Sequence, residues 1–388
     1  MKQERLREID ILRAMAFIFV VVQHTLGGYS NIEGIPYSSF IVMKMIYIMA
    51  TPAVPIFLFI SAVALFYSHS KKLNYKSYYL KRIKYILVPY IIWSAINMVE
   101  LGNEDRFKDF IIEVIGGNGA FHLWYMGMVI RIFLFFPIIL WIVNKVKLLK
   151  VKYRIGIFAL LSGIYYVVLK FQGAISDSMG KLIFGIPTEI QQRIIDISPL
   201  FWYLYFLIGI CFILNYGYFK KRIMKHKSII LVSYIVLLSY SFLNEIGIIG
   251  SVKLAYLLYM IISIVILYIA AVKLAEKNVI YRIIKIIGDY SFGAYMAHII
   301  VVNYVSNEII IEFGTRNYLF VGVLTLIITV IVTPLFMKII SYIPLSEYVT
   351  GAKRSYININ FDKIMIYKEN FLERITKINY LLKRFIKQ

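Results

Sequence analysis

Arg13 and His24 share the first apolar segment of this chain, Ile11–Leu26, and neither side chain belongs in lipid. A charged or titratable group inside a span costs about 2.5–3.5 kcal/mol on insertion scales, so it usually points at a partner or a wet cavity. Eleven positions at 3.6 residues per turn leave a net rotation of about 20°, and at 1.5 Å per residue they separate the two groups by about 16 Å. One helix face therefore carries a fixed cation near one membrane surface and an imidazole deep in the span. Near neutral pH an imidazole can take the proton from a hydroxyl that attacks an acyl carbonyl, or can carry the acyl group itself. A planar guanidinium suits a phosphate or carboxylate. Plainer readings stay open at this point. His24 can be a packed histidine bonded to a neighbouring helix, and Arg13 an interfacial anchor paired with Asp10 at i−3.

Other residues join this pair as candidates. His122-Leu123-Trp124-Tyr125 opens an apolar run, and His122 and Trp124 either contact an acceptor or belong to an interfacial aromatic belt. Ser291, Tyr295 and His298 are offset by four and seven, so they share one helix face. Such a row is either a ladder between helices or a surface that orients a substrate. Lys81, Arg82 and Lys84 form a basic cluster that can hold the phosphates of coenzyme A, or can be charge that topology alone demands. Arg131, near the middle of an apolar run, requires a partner or a wet cavity. There is no P-loop, no H-E-x-x-H, no G-x-S-x-G and no Cys/His metal pattern, and the single cysteine is Cys211. No metal and no nucleic-acid partner are expected.

The elements that must position these residues are membrane helices. The chain is 388 residues, 60% hydrophobic and only 16% charged, yet carries a net charge of +22. Soluble domains average about 45–50% apolar residues, so this is an all-α polytopic membrane bundle. Ten spans are predicted, at about 11–28, 39–67, 83–101, 120–143, 155–172, 199–215, 228–247, 252–272, 287–305 and 318–343. Alternate loops hold 34 of the 43 lysines and arginines, against 6 in the intervening loops. The positive-inside rule then puts both termini in the cytoplasm. No small-residue cleavage site follows Leu26, so the first span reads as retained. Pro52 and Pro55 in the second span predict a kink whose freed backbone groups are satisfied inside the bundle. Residues 1–345 read as the membrane-embedded domain. Residues 346–388 read as a basic tail with an apolar stripe through Ile364, Phe371 and Leu382, suited to the inner leaflet.

In this order, the motifs resemble acyltransferase family 3, the integral-membrane O-acyltransferases of bacterial surface glycans, over most of residues 5–343. The resemblance rests on Arg13-x10-His24, on Lys81-Arg82-Ile83-Lys84 leading to Pro89-Tyr90, and on His122-Leu123-Trp124-Tyr125 with Pro137. Tyr205-Phe206-Leu207-Ile208-Gly209 and Ser291-Phe292-Gly293-Ala294-Tyr295 with His298 complete it. The stretch Arg82–Tyr90 is also similar to the membrane protein of intercellular-adhesion polysaccharide systems, a subgroup viewed both as O-acyltransferase and as exporter. Arg131 falls where the family pattern has a small or apolar residue. The resemblance implies a multi-pass protein of the bacterial plasma membrane with an inner acyl-CoA donor, acetyl-CoA in the simplest case, and an outer glycan acceptor. It implies His24 and Arg13 in catalysis, and Arg13, Lys81, Arg82 and Lys84 on the donor. His122, Trp124, Ser291, Tyr295 and His298 would shape the acceptor side. Besides the bilayer, its partners would be a glycan synthase or a separate extracytoplasmic acyltransferase. The other classes open to such a chain are a glycan or glycolipid transporter and a non-catalytic subunit of a glycan-synthesis complex.

Overall fold

The computed structural model describes residues 5–69 and 73–356. Most of the expected tail helix, residues 357–388, and Lys71 and Lys72 of the second basic loop lie outside the described residues. Among those described there is no strand. Helix α1 (Arg7–Val22) runs into a π-helical turn at Gln23–Gly27, and α2 (Tyr37–Ala50) is followed by α3 (Ala53–His69). Next come α4 (Tyr75–Arg82), a second π-turn at Ile83–Leu87, and α5 (Val88–Glu100). A short α6 (Phe110–Ile115) precedes α7 (Trp124–Val146) and α8 (Val151–Lys170). The segment expected as a loop over 173–198 is instead a helical hairpin, α9 (Gln172–Phe184) and α10 (Glu189–Asp196). A capping box of Thr188 and Gln191 starts its second arm. The remaining helices are α11 (Tyr203–Leu214), α12 (Tyr216–Lys225), α13 (Lys227–Glu245), α14 (Lys253–Ala275), α15 (Asn278–Phe313), α16 (Tyr318–Ile340) and α17 (Glu347–Thr350).

Among the described residues nine helical segments are long and apolar enough to cross a membrane, or ten if α11 and α12 count as one broken span. The expected sixth span is the exception. α11 has 12 residues, about 18 Å of helix at 1.5 Å per residue, and the chain then bends by 100° at Asn215. The bend lets Tyr216 and Lys220 reach the buried carboxylate of Glu8, the lysine at 2.9 Å. The expected kink in the second span is an interruption of the helix at Thr51-Pro52, within one apolar segment of 33 residues, Tyr37–His69. Its freed carbonyls are satisfied within the bundle: Gln23 Nε2 donates to Ala50 O at 2.7 Å, and the Tyr259 hydroxyl donates to Ile48 O at 2.7 Å.

α1 sits at the centre, flanked by α3, α14 and α15. α15 exceeds the expected 287–305 at both ends: residues 306–313, expected as loop, are helix, and 278–286 continue as helix before the apolar stretch. That extension carries the groups that grip the start of α1. The Tyr281 hydroxyl donates to Asp10 at 2.9 Å, and Arg7 donates to Asn278 at 2.9 Å. Arg5 bridges Asp10 at 2.5 Å and Asp289. A side chain at Gly288 would meet Asp10 O at 2.5 Å, so the small residue lets α15 lie directly on α1. Peripheral α13 has no buried residue, as befits a helix facing lipid. Residues 346–356 pack on the bundle, with Trp93 Nε1 donating to Val349 O at 2.9 Å and Lys84 paired to Glu347 at 2.6 Å.

Candidate functional site

The π-turn that ends α1 carries His24. A π-turn widens the helix by one residue and re-aims the side chains in it, and such turns recur at functional sites. The 3.6-residue spacing from Arg13 therefore holds only to Val22, and the shared face expected for the pair is altered at its His24 end. The π-turn presents His24 to two other histidines. Its ring centroid lies 5.3 Å from that of His298 on α15 and 6.2 Å from that of His122, in the turn before α7. His122 and His298 are 4.9 Å apart. Three motifs separated by up to 274 positions thus form one cluster, closed by Phe121 at 5.1 Å from His24 and Tyr295 at 5.7 Å from His122.

The three rings are not equivalent. His298 and His122 are fully buried. His298 Nδ1 donates to Tyr295 O at 2.5 Å, which leaves Nε2 as the nitrogen with a lone pair, and Nε2 has no partner. Neither ring nitrogen of His122 makes a hydrogen bond of normal geometry; the Met296 carbonyl approaches without meeting it. Buried polar atoms are nearly always satisfied, so three orphaned imidazole nitrogens in one place mark a site built for something other than stability. His24 is half-buried and lines an open cavity of about 410 Å³. Among the described residues no three His, Cys, Asp or Glu side chains converge as a metal site would require.

Three arginines fix the segment that carries His122. Arg131 donates to Ile194 O at 2.6 Å and Ile115 O at 3.1 Å, the carbonyl ends of α10 and α6. The partner that Arg131 requires is therefore a pair of helix C-termini, where a cation is favoured. Arg193 donates to Gly116 O at 3.1 Å, Gly117 O at 3.3 Å and Phe121 O at 3.4 Å. Burial and the nearby charge of Arg106 hold the Arg193 guanidinium below its usual range. Arg106 donates to Asn118 O at 2.6 Å. Gly117 has φ +66° and a side chain there would meet Trp124 Cα at 2.6 Å, so the turn closes only with glycine. From the other side, the Tyr295 hydroxyl donates to the His122 carbonyl.

The remaining candidates are distributed. Ser291 is buried one turn inward with its hydroxyl on Gly288 O at 2.9 Å, away from the histidines. Trp124 turns to Trp202, centroids 5.1 Å apart. Arg13 makes no hydrogen bond or ion pair among the described residues; Asp10 is taken by Arg5 and Tyr281. Its charge acts on Tyr125, whose ring is 5.8 Å from Tyr295, which leads to the cluster. Lys81 and Lys84 line a second open cavity, also about 410 Å³, together with Lys76 and Tyr85. Arg82 points elsewhere, its guanidinium 5.0 Å above the Tyr78 ring and 5.2 Å above Phe133. Sequence reasoning passed over Asn97, which is fully buried and donates to Met296 O at 3.0 Å beside His298. Its only sequence signal is an amide inside an apolar span.

A model of an acyltransferase domain matches residues 6–337, which takes in every candidate site residue. No curated protein and no solved structure is significantly similar to the chain.

Proposed function

Because this chain belongs to acyltransferase family 3, whose domain its residues 6–337 match, we propose that it moves an acyl group from a cytoplasmic acyl-CoA to a hydroxyl of a cell-envelope glycan. It is a multi-pass membrane acyltransferase. The donor, the acceptor, the orientation with both termini inside and a place in the bacterial plasma membrane belong to our reading. The observation that carries it is the convergence of His24, His122 and His298.

The chemistry is acyl transfer between oxygen and sulfur. His24, on the cavity wall, takes the proton of the acceptor hydroxyl as its oxygen attacks the thioester carbonyl. The C–S bond breaks, the O-acyl bond forms, and the thiolate leaves with the proton. Two imidazolium ions about 5 Å apart repel by about 3 kcal/mol at an effective dielectric of 20, so the cluster is built to hold one proton. The free Nε2 of His298 stands ready to share it. Lys76, Lys81 and Lys84 line the inner cavity, a fit for the phosphates of coenzyme A. Arg13 lies three turns before His24 on α1 and has no ion-pair partner among the described residues, as a ligand for an incoming anion should be. Arg82, stacked on its rings, supports the wall and not the donor.

The test is the acyl content per sugar of the envelope glycan, at constant glycan amount, in cells carrying wild type or His24→Ala. The variant should insert at the wild-type level and leave the glycan unacylated. Normal acyl content would overturn the assignment and favour a transporter.

A further inference from the structure

The cavity beside His24 has walls that the acyl-transfer chemistry does not use. Lys44 on α2 is buried, and its Nζ donates to Asn31 at 3.1 Å and Glu245 at 2.9 Å. Both ends of this ion pair line the cavity. Glu245 is the last residue of α13, so the pair joins α2 and α13 in the cavity wall. The Tyr47 ring forms a third wall, set against the π-turn at Gly27, where any side chain would meet Tyr47 Cδ2. A partly buried ion pair in an apolar bundle is weak evidence for stability, since apolar residues of similar volume often do as well or better.

From these walls we infer that the cavity is the acceptor subsite and that it takes an uncharged sugar residue, with Lys44, Glu245 and Asn31 gripping its hydroxyls. This rests on the reading of His24 as the acyl-transfer base. The lining carries one cation and one carboxylate, so its formal charge cancels. An acidic sugar would meet Glu245, and an amino sugar with a free amine would meet Lys44. A neutral sugar meets neither penalty, and its vicinal hydroxyls, each donor and acceptor, match an ammonium, a carboxylate and an amide side by side. The Tyr47 ring offers a flat apolar face to the C–H side of a pyranose. A volume of about 410 Å³ is at the small end of ligand pockets, of the order of one or two sugar rings.

The experiment is a binding titration of the full chain in detergent by saturation-transfer NMR, with a glucose tetramer, an N-acetylglucosamine tetramer and a tetra-uronate as probes. Wild type should bind a neutral probe and not the uronate. Glu245→Gln leaves Lys44 uncompensated; it should lose tenfold or more for the neutral probe and gain affinity for the uronate. A Lys44→Met/Glu245→Leu double variant, which keeps the packing and removes both charges, should lose neutral binding while coenzyme A binding at the lysine cavity stays at the wild-type level. Failure of wild type to bind either neutral probe, or wild-type binding by the double variant, overturns the inference. The dependence of glycan acylation on His24 is a separate readout, so the acyl-transfer reading stands or falls independently.

Discussion

The two cavities have the same volume, about 410 Å³, and opposite construction. Each abuts a π-turn, Gln23–Gly27 beside His24 and Ile83–Leu87 beside the lysines, so in both places a widened helix turn supplies lining side chains. The cavity beside His24 backs onto fully buried rings whose positions are set by Arg131, Arg193, Arg106 and Tyr295, and its own charges cancel between Lys44 and Glu245. The other cavity is lined by three lysines, of which Lys84 alone has an ion-pair partner among the described residues, Glu347. The difference teaches a division of labour. Rigid, neutral surroundings suit a reaction that must hold atoms in register. Flexible point charges suit an anionic ligand that needs to be captured more than aligned.

This contrast can be broken from its rigid side first. His298→Gln removes the lone pair behind His24 while keeping a buried polar group, and should lower acyl transfer by about 10²-fold with donor binding unchanged. Steady-state transfer and a coenzyme A titration measure the two; equal loss in both would mean that the bundle, not the cluster, has been damaged. Arg193→Gln frees the 116–121 turn and moves His122. We expect about a tenfold loss in the transfer rate, again without loss of donor binding, since small misplacements of a catalytic group are expensive. An unchanged rate would show that the turn is held by Arg106 and Tyr295 alone.

The cationic side should yield smaller, salt-dependent effects. Lys81→Ala should weaken coenzyme A binding by roughly three- to tenfold and flatten its salt dependence. Arg82→Ala should cost stability through lost ring contacts and leave the salt slope alone. Smallest of all is the Lys84–Glu347 tie. The hydrogen bond from Lys84 holds the Glu347 carboxyl below the usual carboxylate range. A lowered pKa adds stability that is present above the unfolded value, near 4.5, and is lost as pH falls through the folded one. Thermal unfolding in detergent should therefore show an acid-side loss that Glu347→Gln abolishes; an identical acid profile in the variant would remove the tie from the account.

Orientation sharpens the same comparison, because it decides which cavity faces the cytoplasm. In a Cys211→Ala background, cysteines at Glu104, Ser178 and Arg316 should react with an impermeant reagent from outside the cell. Ser178 is exposed, whereas neighbouring Ser176 is buried against Asp196. Reaction of any of the three only from the cytoplasmic side would reverse the assignment of donor and acceptor cavities.

Much of this was legible in the sequence, for physical reasons. Apolar runs of membrane length and alternating basic loops announce the helices, since lipid permits little else. His24, His122 and His298 could each be singled out, because a titratable group in an apolar run is conspicuous. That they touch could not be read, as it depends on how α1, α7 and α15 pack. The π-turns leave no composition signal, so the helical wheel from Arg13 to His24 fails at the residue of interest. Arg131 looked unpaired because its partners are backbone carbonyls, which no side-chain pattern shows. Lys44 and Glu245 sit 201 positions apart, and no sequence pattern links them.

In this reading the three histidines act as one unit. The most direct measurement is a mutant cycle over His24→Ala, His122→Ala, His298→Ala and the double variant His24→Ala/His298→Ala, each inserted at the wild-type level. The readout is acyl content per sugar at constant glycan amount. Groups that act together are strongly non-additive. Every single variant should fall sharply, and the double variant should be no worse than His24→Ala. Normal acylation in any of the single variants, or losses that simply multiply, would contradict it.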